Sequence, residues 1–263
     1  MAGKLAIVTG ASTGIGFDLA TIAAREGYDL IVVADEPLIE AAARDFEQFG
    51  TNVQAVEADL STIDGVDQVL AAAGDRRIDL VCANAGISKG GPFLDESVAD
   101  WRRSIDTNVT GTVYLLQKVL RDMVARNAGK ILVTGSIAGY IPGSFNAIYN
   151  ATKAFIDNFT EALRNELKDV DGVTLTTLMP GPTDTEFFAR ADMLDTSVGQ
   201  SDSKADPEKV AKDGWDALMA GKGHIVSGLS NKLQVLGSGV MPQSVLAEMH
   251  RGMAEPGTGK KEE

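Results

Sequence analysis

Cysteine and histidine are scarce in this chain. Its 263 residues include one cysteine, Cys82, and two histidines, His224 and His250. A single cysteine excludes an internal disulfide, and Cys82 falls in an apolar run, so we expect a buried thiol in a reducing compartment. The Cys, His and acidic residues show no zinc-ligand spacing, so we predict no metal site. Neither histidine follows a hydrolase-like order with serine and acidic residues, which argues against Ser-His-Asp catalysis.

Long apolar runs and basic charge are also lacking. No apolar stretch approaches the roughly 20 residues that cross a bilayer, and the chain reaches the apolar run 5–8 too early to leave room for a signal sequence. The formal net charge is −13 and the pI is about 4.6. Such a chain repels nucleic-acid phosphates and anionic lipids. We therefore predict a soluble, cytoplasmic protein that binds neither nucleic acid nor membranes.

Short apolar runs alternate with helical patterns along the chain. The runs lie at 5–8, 30–33, 53–56, 80–82, 131–133, 175–178 and 225–226. This alternation predicts an α/β fold, a single Rossmann-like, doubly wound parallel sheet of about seven strands with helices on both faces. We expect one domain over residues 1–254. Residues 255–263 have no apolar side chain to bury, so we predict a disordered tail there.

A glycine-rich turn follows the first predicted strand, where residues 9–16 read TGASTGIG. Glycine at 10, 14 and 16 permits a tight turn, lets backbone N–H groups approach a pyrophosphate, and keeps the next helix close to its strand. The spacing differs from Gly-x-Gly-x-x-Gly, so alone it also fits an ordinary strand-to-helix turn. Together with the motifs further along the chain, it predicts a dinucleotide site formed by Gly10, Ser12, Thr13, Gly14, Ile15 and Gly16.

Asp35 ends the second predicted strand. A carboxylate there can accept hydrogen bonds from both hydroxyls of the adenosine ribose, and it would repel a 2′-phosphate. Glu36 adds negative charge, and positions 13, 34 and 37 carry no Arg or Lys to receive that phosphate. We predict that NAD(H) is favoured, without excluding NADP(H). The competing interpretation is a solvated surface aspartate.

Tyr149 and Lys153 are four residues apart and so share one face of a predicted helix, while Ser136 follows the predicted strand 131–133. A phenol with a pKa of about 10 releases its proton reluctantly at neutral pH, and a nearby ammonium favours the phenolate. Tyr149 can therefore act as a general acid or base, with Ser136 holding the reacting oxygen. These three residues are suited to carbonyl reduction by hydride transfer.

With these motifs in this order, the sequence resembles the short-chain dehydrogenases/reductases from about residue 4 to residue 228. The further matching motifs are Asp59, Asn-Ala-Gly at 84–86, Asn108, and PGPTDT at 180–185. The resemblance implies an NAD(P)-dependent oxidoreductase that interconverts a secondary alcohol and a ketone. It implies Asn108, Ser136, Tyr149 and Lys153 as catalytic residues. It also implies a homo-dimer or homo-tetramer assembled through two long helices, over 97–126 and 149–167.

The resemblance extends to cofactor contacts. It implies that Asp59 lies near the adenine, that residues 84–86 line the pocket, that 180–185 contact the nicotinamide, and that Asn108 reaches Lys153 through water in a proton relay. Two alternatives stay open, because Asp59 could instead cap the following helix and 84–86 could be mainly structural. Beyond the glycine turn, the predicted cofactor-binding residues are Asp35, Asp59, Leu60, Asn84, Ala85, Gly86, Tyr149, Lys153, Pro180, Gly181, Thr183 and Thr185.

Substrate recognition is less specified by the sequence. By resemblance, the irregular stretch 190–207 covers the substrate, although it could also be a mobile, solvated loop. Apolar residues suggest an apolar pocket for a small alcohol or carbonyl substrate; they are Ile137, Tyr140, Ile141, Phe145, Phe187, Phe188, Met193 and Leu194. A hypothesis from another class is a catalytically silent NAD(H)-binding module that senses redox state. The presence of all four proposed catalytic residues argues against it.

Overall fold

A seven-stranded parallel sheet organises the computed structural model, which describes residues 3–259. The strand order is β3-β2-β1-β4-β5-β6-β7. All seven predicted strands are confirmed, as is the Rossmann-like fold class. The strands are β1 (Leu5–Thr9), β2 (Asp29–Ala34), β3 (Val53–Glu57), β4 (Ile78–Ala83), β5 (Gly129–Thr134), β6 (Val173–Met179) and β7 (His224–Val226).

Helices cover both faces of the sheet. Along β1, Ala6 and Val8 pack into one apolar core with Trp215, while Leu5 and Ile7 pack into the other. This split follows from the alternation of side chains along a strand. The helices are α1 (Gly14–Arg25), α2 (Leu38–Glu47), α3 (Ile63–Ala72), α4 (Val98–Ile105), α5 (Thr112–Ala125), α6 (Ala147–Glu166), α7 (Phe187–Arg190), α8 (Pro207–Met219), α9 (Leu229–Ser238) and α10 (Gln243–Ala254).

The chain reverses direction across the sheet between β1 and β4. Strands β1 to β3 build outward on one side, and β4 to β7 build outward on the other. Ligands of open α/β sheets bind outside the carboxyl ends of the strands at such a switch point. The predicted motifs follow β1, β4, β5 and β6, so the fold brings them to this one edge.

The predicted long helix over 97–126 is interrupted. A π-helical segment, Asp106–Gly111, separates α4 from α5. At Gly111 a side chain would collide with the Leu60 carbonyl oxygen, so the segment lies very close to the loop that follows β3. Apolar periodicity does not distinguish one wide turn from a regular helix. The second long helix was predicted over 149–167, and α6 spans Ala147–Glu166.

The last described residues are hydrogen-bonded to the loop before α8. Gly259 N donates to Asp195 O at 2.8 Å, Gly257 N donates to the Asp195 carboxylate at 2.9 Å, and Ser197 N donates to Thr258 Oγ1 at 3.0 Å. Residues 257–259 are thus attached through backbone and side-chain hydrogen bonds rather than through apolar side chains, and the disorder of the tail stays a prediction. Its remainder, 260–263, lies outside the described residues.

Two composition-based expectations concern membranes and metals. Within residues 3–259, none of the helices combines the length and apolar character needed to cross a bilayer. The same residues contain no group of three or more His, Cys, Asp or Glu side chains placed to hold a metal ion.

Candidate active site

A cavity of about 730 Å³ opens at the carboxyl edge of the sheet. It runs from the glycine turn after β1 to the C-terminal helix α10. Two predicted site residues, Gly16 and Asn108, lie outside its lining. The predicted residues that line it are Gly10, Ser12, Thr13, Gly14, Ile15, Asp35, Asp59, Leu60, Asn84, Ala85, Gly86, Ser136, Tyr149, Lys153, Pro180, Gly181, Thr183 and Thr185.

The glycine turn has the backbone that its sequence predicts. Gly10 and Gly14 have φ of +64° and +59°, which L side chains rarely adopt. A side chain at Gly16 would collide with the Gly10 carbonyl oxygen, so this glycine sets how closely α1 approaches the turn. The N-cap of α1, Thr13, makes no side-chain capping bond, and the first turn has no acidic residue. The N–H groups at this helix start thus suit an anion such as a pyrophosphate.

Asn84 ties together the ends of three strands. Its backbone N donates to Thr9 Oγ1 at 2.9 Å, its Nδ2 donates to Thr9 O at 3.2 Å, and its Oδ1 accepts from Thr134 Oγ1 at 2.9 Å. These contacts join β1, β4 and β5 at the switch point. The motif at 84–86 therefore has a structural role as well as a place on the cavity wall.

Asp59 does not cap the helix that follows it. The N-cap of α3 is Thr62, whose Oγ1 accepts from Gly65 N at 2.9 Å. The Asp59 carboxylate instead accepts from Ser61 N at 2.9 Å and lines the cavity. Burial opposes ionisation, but the hydrogen bonds from Ser61 hold the pKa of Asp59 below its usual value. The capping alternative is thus excluded, and Asp59 is ionised at the adenosine end of the predicted cofactor site.

Two arginines missed by the sequence interpretation approach the acidic residues after β2. Arg103 on α4 donates to Asp35 Oδ2 at 2.5 Å, and Arg190 at the end of α7 donates to Glu36 Oε1 at 2.9 Å. Glu36 Oε1 also accepts from Ser12 Oγ at 2.6 Å. The sequence argument considered only positions 13, 34 and 37, because contacts between distant elements leave no local signal.

Tyr149, Ser136 and Lys153 meet in the cavity. Burial raises the pKa of Tyr149 to about 12, and the nearby Ser136 side chain opposes this. Ser136 Oγ itself donates to Pro180 O at 3.4 Å and accepts from Ala138 N at 3.1 Å. Lys153 Nζ donates to Thr134 O at 2.8 Å and lies 5.7 Å from the centre of the Tyr149 ring. That Lys153, together with the positive ring of an oxidised nicotinamide, lowers the pKa of Tyr149 stays a prediction. Desolvation dominates, and the ammonium faces the ring and a carbonyl oxygen.

Asp157 is a buried carboxylate that the sequence interpretation missed. It lies one turn after Lys153 on α6 and is 8% exposed. Among residues 3–259, neither carboxylate oxygen of Asp157 has a hydrogen-bond partner, although the Ser136 backbone lies close enough to lower the pKa of this carboxyl group. Burial raises the pKa of Asp157 to about 7, which the Lys153 charge and the Ser136 amide oppose. Burial also lowers the pKa of Lys153 to about 8 against the opposing charge of Asp157.

Asn108 lies behind the cavity wall, in the π-helical segment. Its Oδ1 accepts from Ile87 N at 2.8 Å, and its Nδ2 donates to Ile87 O at 2.8 Å and to Thr152 Oγ1 at 3.0 Å. It thus fixes the loop after β4 against α6. A Cβ added at Gly86 would lie 3.3 Å from Lys153 Nζ and 3.4 Å from Asn108 Oδ1. Gly86 therefore leaves a narrow space between these two polar groups.

Residues 187–193, here called the flap, cover part of the cavity. The Phe187 ring lies 5.1 Å from the Tyr149 ring. Gly90 N donates to Ala191 O at 2.8 Å, and Met193 is only 2% exposed. The start of the stretch 190–207 is thus packed rather than solvated. Of the predicted apolar pocket residues, Tyr140, Phe145 and Leu194 lie outside the lining, whereas Ile137, Ile141, Phe187, Phe188 and Met193 belong to it.

Helices α9 and α10 add residues that no motif indicated. Three residues of these helices line the cavity, although they lie far along the chain from the glycine turn; they are Gln234, His250 and Met253. Ser144 Oγ donates to Ala247 O at 2.9 Å, which attaches α10 to the loop before α6. The site therefore combines a helix start suited to an anion, two hydroxyls at Tyr149 and Ser136, a buried ammonium and a partly apolar pocket. Such a set can move a proton to or from an oxygen whose carbon exchanges a hydride.

Comparison with known proteins identifies relatives of this chain. The short chain dehydrogenase family model matches residues 4–195. An uncharacterised oxidoreductase of Staphylococcus epidermidis is 33% identical over 207 residues, which are 77% of this chain and 88% of that protein.

Two solved structures with the same fold are of proteins named as short-chain dehydrogenases. A short-chain dehydrogenase from Sphingobium yanoikuyae, in complex with NADPH, is 27% identical, with a TM-score of 0.80 and coverage of 90% of this chain and 93% of that chain. A short chain dehydrogenase/reductase from Burkholderia phymatum, in complex with NAD, has a TM-score of 0.81 over 89% of this chain and 92% of that chain. At 24% identity the second likeness supports the fold alone.

Proposed function

Because the chain belongs to the short-chain dehydrogenase family and is thus an oxidoreductase acting on CH–OH groups, we propose that it interconverts a secondary alcohol and a ketone with a nicotinamide cofactor. The observation that carries this proposal is the meeting of Tyr149, Ser136 and Lys153 in the cavity that also holds the glycine turn. The relative from Sphingobium yanoikuyae that binds NADPH supports the choice of cofactor class.

The residues present fit such a cofactor. The uncapped start of α1 offers N–H groups to the pyrophosphate. A Cβ added at Gly14 would lie 2.7 Å from the Thr185 side chain, so the turn and the segment after β6 form one narrow cradle. We assign the adenosine to Asp35, Asp59 and Leu60. The carboxamide is assigned to Thr183 and Thr185.

The bound nicotinamide would supply or accept the hydride. In reduction, Tyr149 donates its proton to the carbonyl oxygen, and in oxidation its phenolate accepts the proton of the alcohol. The Ser136 hydroxyl donates a hydrogen bond to the same oxygen and stabilises the charge that develops there. Lys153 holds a positive charge beside the phenol and is available to the nicotinamide ribose. Asn108 would connect Lys153 to solvent through water in the space beside Gly86.

The test is turnover of a panel of alcohols and carbonyls, followed by the absorbance of reduced nicotinamide. We expect turnover by the parent protein and a loss in kcat of about 10²-fold or more for Tyr149→Phe. Cofactor binding, measured by fluorescence, should persist in that variant, because the other predicted cofactor-binding residues remain. Equal turnover by both proteins would contradict the assigned mechanism. Cofactor binding without turnover of any substrate would instead favour the silent redox-sensing module.

For cofactor choice we propose a preference for NAD(H). Two carboxylates, Asp35 and Glu36, follow β2 on the part of the wall that we assign to the adenosine, and they would repel a 2′-phosphate. Arg103 and Arg190 pair with them and weaken this repulsion. Dissociation constants for NAD and NADP should be compared in the parent, Asp35→Asn and the double variant Asp35→Asn/Arg103→Ala. We expect Asp35→Asn to move the ratio toward NADP, because Arg103 is released, and the second substitution to reverse part of this. An unchanged ratio in Asp35→Asn would refute the specificity argument.

We further propose a homo-oligomer formed through the helices around α6. Phe155 is 45% exposed and stacks on Phe159 with ring centres 5.7 Å apart, which leaves an apolar groove on this helix. Light scattering at micromolar concentration should give a dimer or tetramer, and Phe155→Glu should dissociate it while Leu194→Glu, an exposed apolar residue elsewhere, should not. A monomeric parent would contradict this. The cytoplasmic location stays a prediction.

A further inference from the structure

His250 contributes an imidazole to the cavity from α10, outside every motif described above. The residue is 8% exposed and lines the cavity. Its Nδ1 lies 2.8 Å from Ser144 O. A carbonyl oxygen can only accept, so Nδ1 carries the proton in this contact.

The other ring nitrogen, Nε2, is free to bind a ligand. Burial lowers the pKa of His250, and the Ser144 carbonyl opposes this only in part. The ring is therefore neutral near pH 7, and Nε2 carries a lone pair that can accept one hydrogen bond. Nε2 has no partner among residues 3–259, and it is not enclosed by protein either.

Helix α10 packs on apolar side chains here, because Ala254, one turn after His250, joins Phe188 and Met193 in one buried apolar cluster. Met253 of the same helix also lines the cavity. Asn146, which follows Ser144 by two residues and also lines the cavity, is already engaged, because its Oδ1 accepts from Ser88 Oγ at 2.6 Å. A free acceptor in apolar surroundings discriminates strongly between ligands that donate a hydrogen bond and ligands that do not.

We propose that His250 Nε2 accepts a hydrogen bond from a second hydroxyl of the substrate, one separate from the oxygen held by Tyr149 and Ser136. The substrate class is then an uncharged, mainly apolar ketone or alcohol that bears a further hydroxyl. This inference rests on the proposed function, because it concerns the substrate of the same site.

Two isosteric variants separate the two ring nitrogens. In His250→Asn the side-chain amide can replace Nδ1 and keep the contact with Ser144 O, but nothing replaces Nε2. In His250→Gln the amide reaches the Nε2 position, but the contact with Ser144 is lost. Ser144→Ala is the matched control for the attachment of α10, since it removes the hydrogen bond to Ala247 O and leaves Nε2 in place.

The probes are matched ketones with and without one additional hydroxyl, on one-ring, two-ring and four-ring carbon skeletons. In the parent we expect at least one pair whose hydroxylated member has a kcat/KM about 10-fold or more higher. His250→Asn should abolish this preference by acting on the hydroxylated member alone. His250→Gln should keep part of it, and Ser144→Ala should affect both members equally.

Binding measurements keep this inference separable from the catalytic proposal. Calorimetric titration of the same pairs into Tyr149→Phe, saturated with NAD, measures the preference without turnover. A hydroxyl preference that disappears in Tyr149→Phe/His250→Asn supports the role of His250 even if the assigned chemistry fails. The inference is overturned if the parent shows no preference in any pair, or if His250→Asn weakens both members of a pair equally, since His250 would then only hold α10 in place.

Discussion

Asp157 lies one helical turn after Lys153 on α6, and its carboxylate is buried against the backbone of the loop that carries Ser136. A side chain at Gly135 or at Gly139 would collide with or crowd this carboxylate. The two charges act on each other, because Asp157 raises the pKa of Lys153 and Lys153 lowers that of Asp157. The charge of Asp157 also raises the pKa of Tyr149. Asp157 is therefore a positioning and tuning residue.

Substitution of Asp157 should shift the pH dependence of the reaction. In the proposed mechanism alcohol oxidation requires the Tyr149 phenolate, and removing a nearby negative charge lowers the pKa of the phenol. We expect Asp157→Asn to reach half-maximal kcat for oxidation at a lower pH than the parent, as measured under saturating cofactor. Glu161→Gln, which removes an exposed carboxylate one turn further along α6, should leave the profile in place. An unchanged or upward shift in Asp157→Asn would contradict this coupling.

The same carboxylate should make the stability of the protein depend on pH. The pKa of Asp157 is raised from 3.8 to about 7 on folding, so the folded state holds the proton more tightly. Stability is then lost as pH rises between these values, and Asp157→Asn removes that loss. Between pH 5 and pH 7.5, we expect the parent to lose on the order of 2 kcal/mol relative to the variant. Urea unfolding at both pH values measures this change in the free energy of unfolding, with Glu161→Gln as the control. The same change with pH in all three proteins would refute the prediction.

Local sequence signals predict the sheet and much of the cavity wall, whereas contacts between distant elements do not follow from them. Apolar runs identify the strands because burial on both faces requires continuous apolar residues. The glycine turn is likewise predictable, since positive φ demands a particular residue type. In contrast, Arg103 meets Asp35 only through the packing of α4. His250 enters the cavity only because α10 returns to the loop at 143–146. The π-helical turn at Asn108 also leaves no trace in the apolar pattern.

Adding one methyl group at Gly86 should lower the turnover of the enzyme. An added Cβ would fill the space between Lys153 Nζ and Asn108 Oδ1, at 3.3 Å and 3.4 Å from them. We expect Gly86→Ala to lower kcat about 10-fold by displacing Lys153 or excluding water, in keeping with the sensitivity of catalysis to small misplacements. The melting temperature should change little. Gly252→Ala, where an added Cβ meets nothing within 4 Å, is the control. Full turnover in Gly86→Ala would argue against a water path at this point.

Asn108 should contribute to stability as well as to turnover. In Asn108→Ala, both backbone groups of Ile87 lose their partner, and we expect a loss of about 2 kcal/mol in the free energy of unfolding. Asn108→Asp should cost at least as much, because it keeps the acceptor for Ile87 N but turns a buried carboxylate oxygen toward Ile87 O. Thr152→Val removes the third hydrogen bond, together with the one that Thr152 Oγ1 donates to Tyr149 O at 2.7 Å, but keeps both contacts of Asn108 with Ile87, and is the control. Denaturant unfolding and kcat should be measured on all three. A stable Asn108→Ala with full turnover across the pH range would refute both the structural role and the relay.

The ion pair between Arg190 and Glu36 should control cofactor exchange more than stability. It joins the flap to the glycine turn, since Glu36 also accepts from Ser12. Arg190 is 48% exposed and Glu36 30% exposed, so the pair contributes at most about 1 kcal/mol to folding. This ion pair nevertheless links the proposed cofactor site, at Ser12 and Glu36, to the flap that covers part of the cavity.

We therefore expect Arg190→Gln to release NADH a few-fold faster in stopped-flow fluorescence, with a smaller effect of salt than in the parent, because the screened attraction is absent. If release limits turnover, kcat should rise while the KM for cofactor also rises. Lys212→Gln, which breaks an exposed ion pair with Asp216 on α8, should change neither quantity. Identical release rates in Arg190→Gln and the parent would mean that the flap is held by its contacts with Gly90 and Lys89 alone, since Ala191 and Asp192 bind there independently of Glu36.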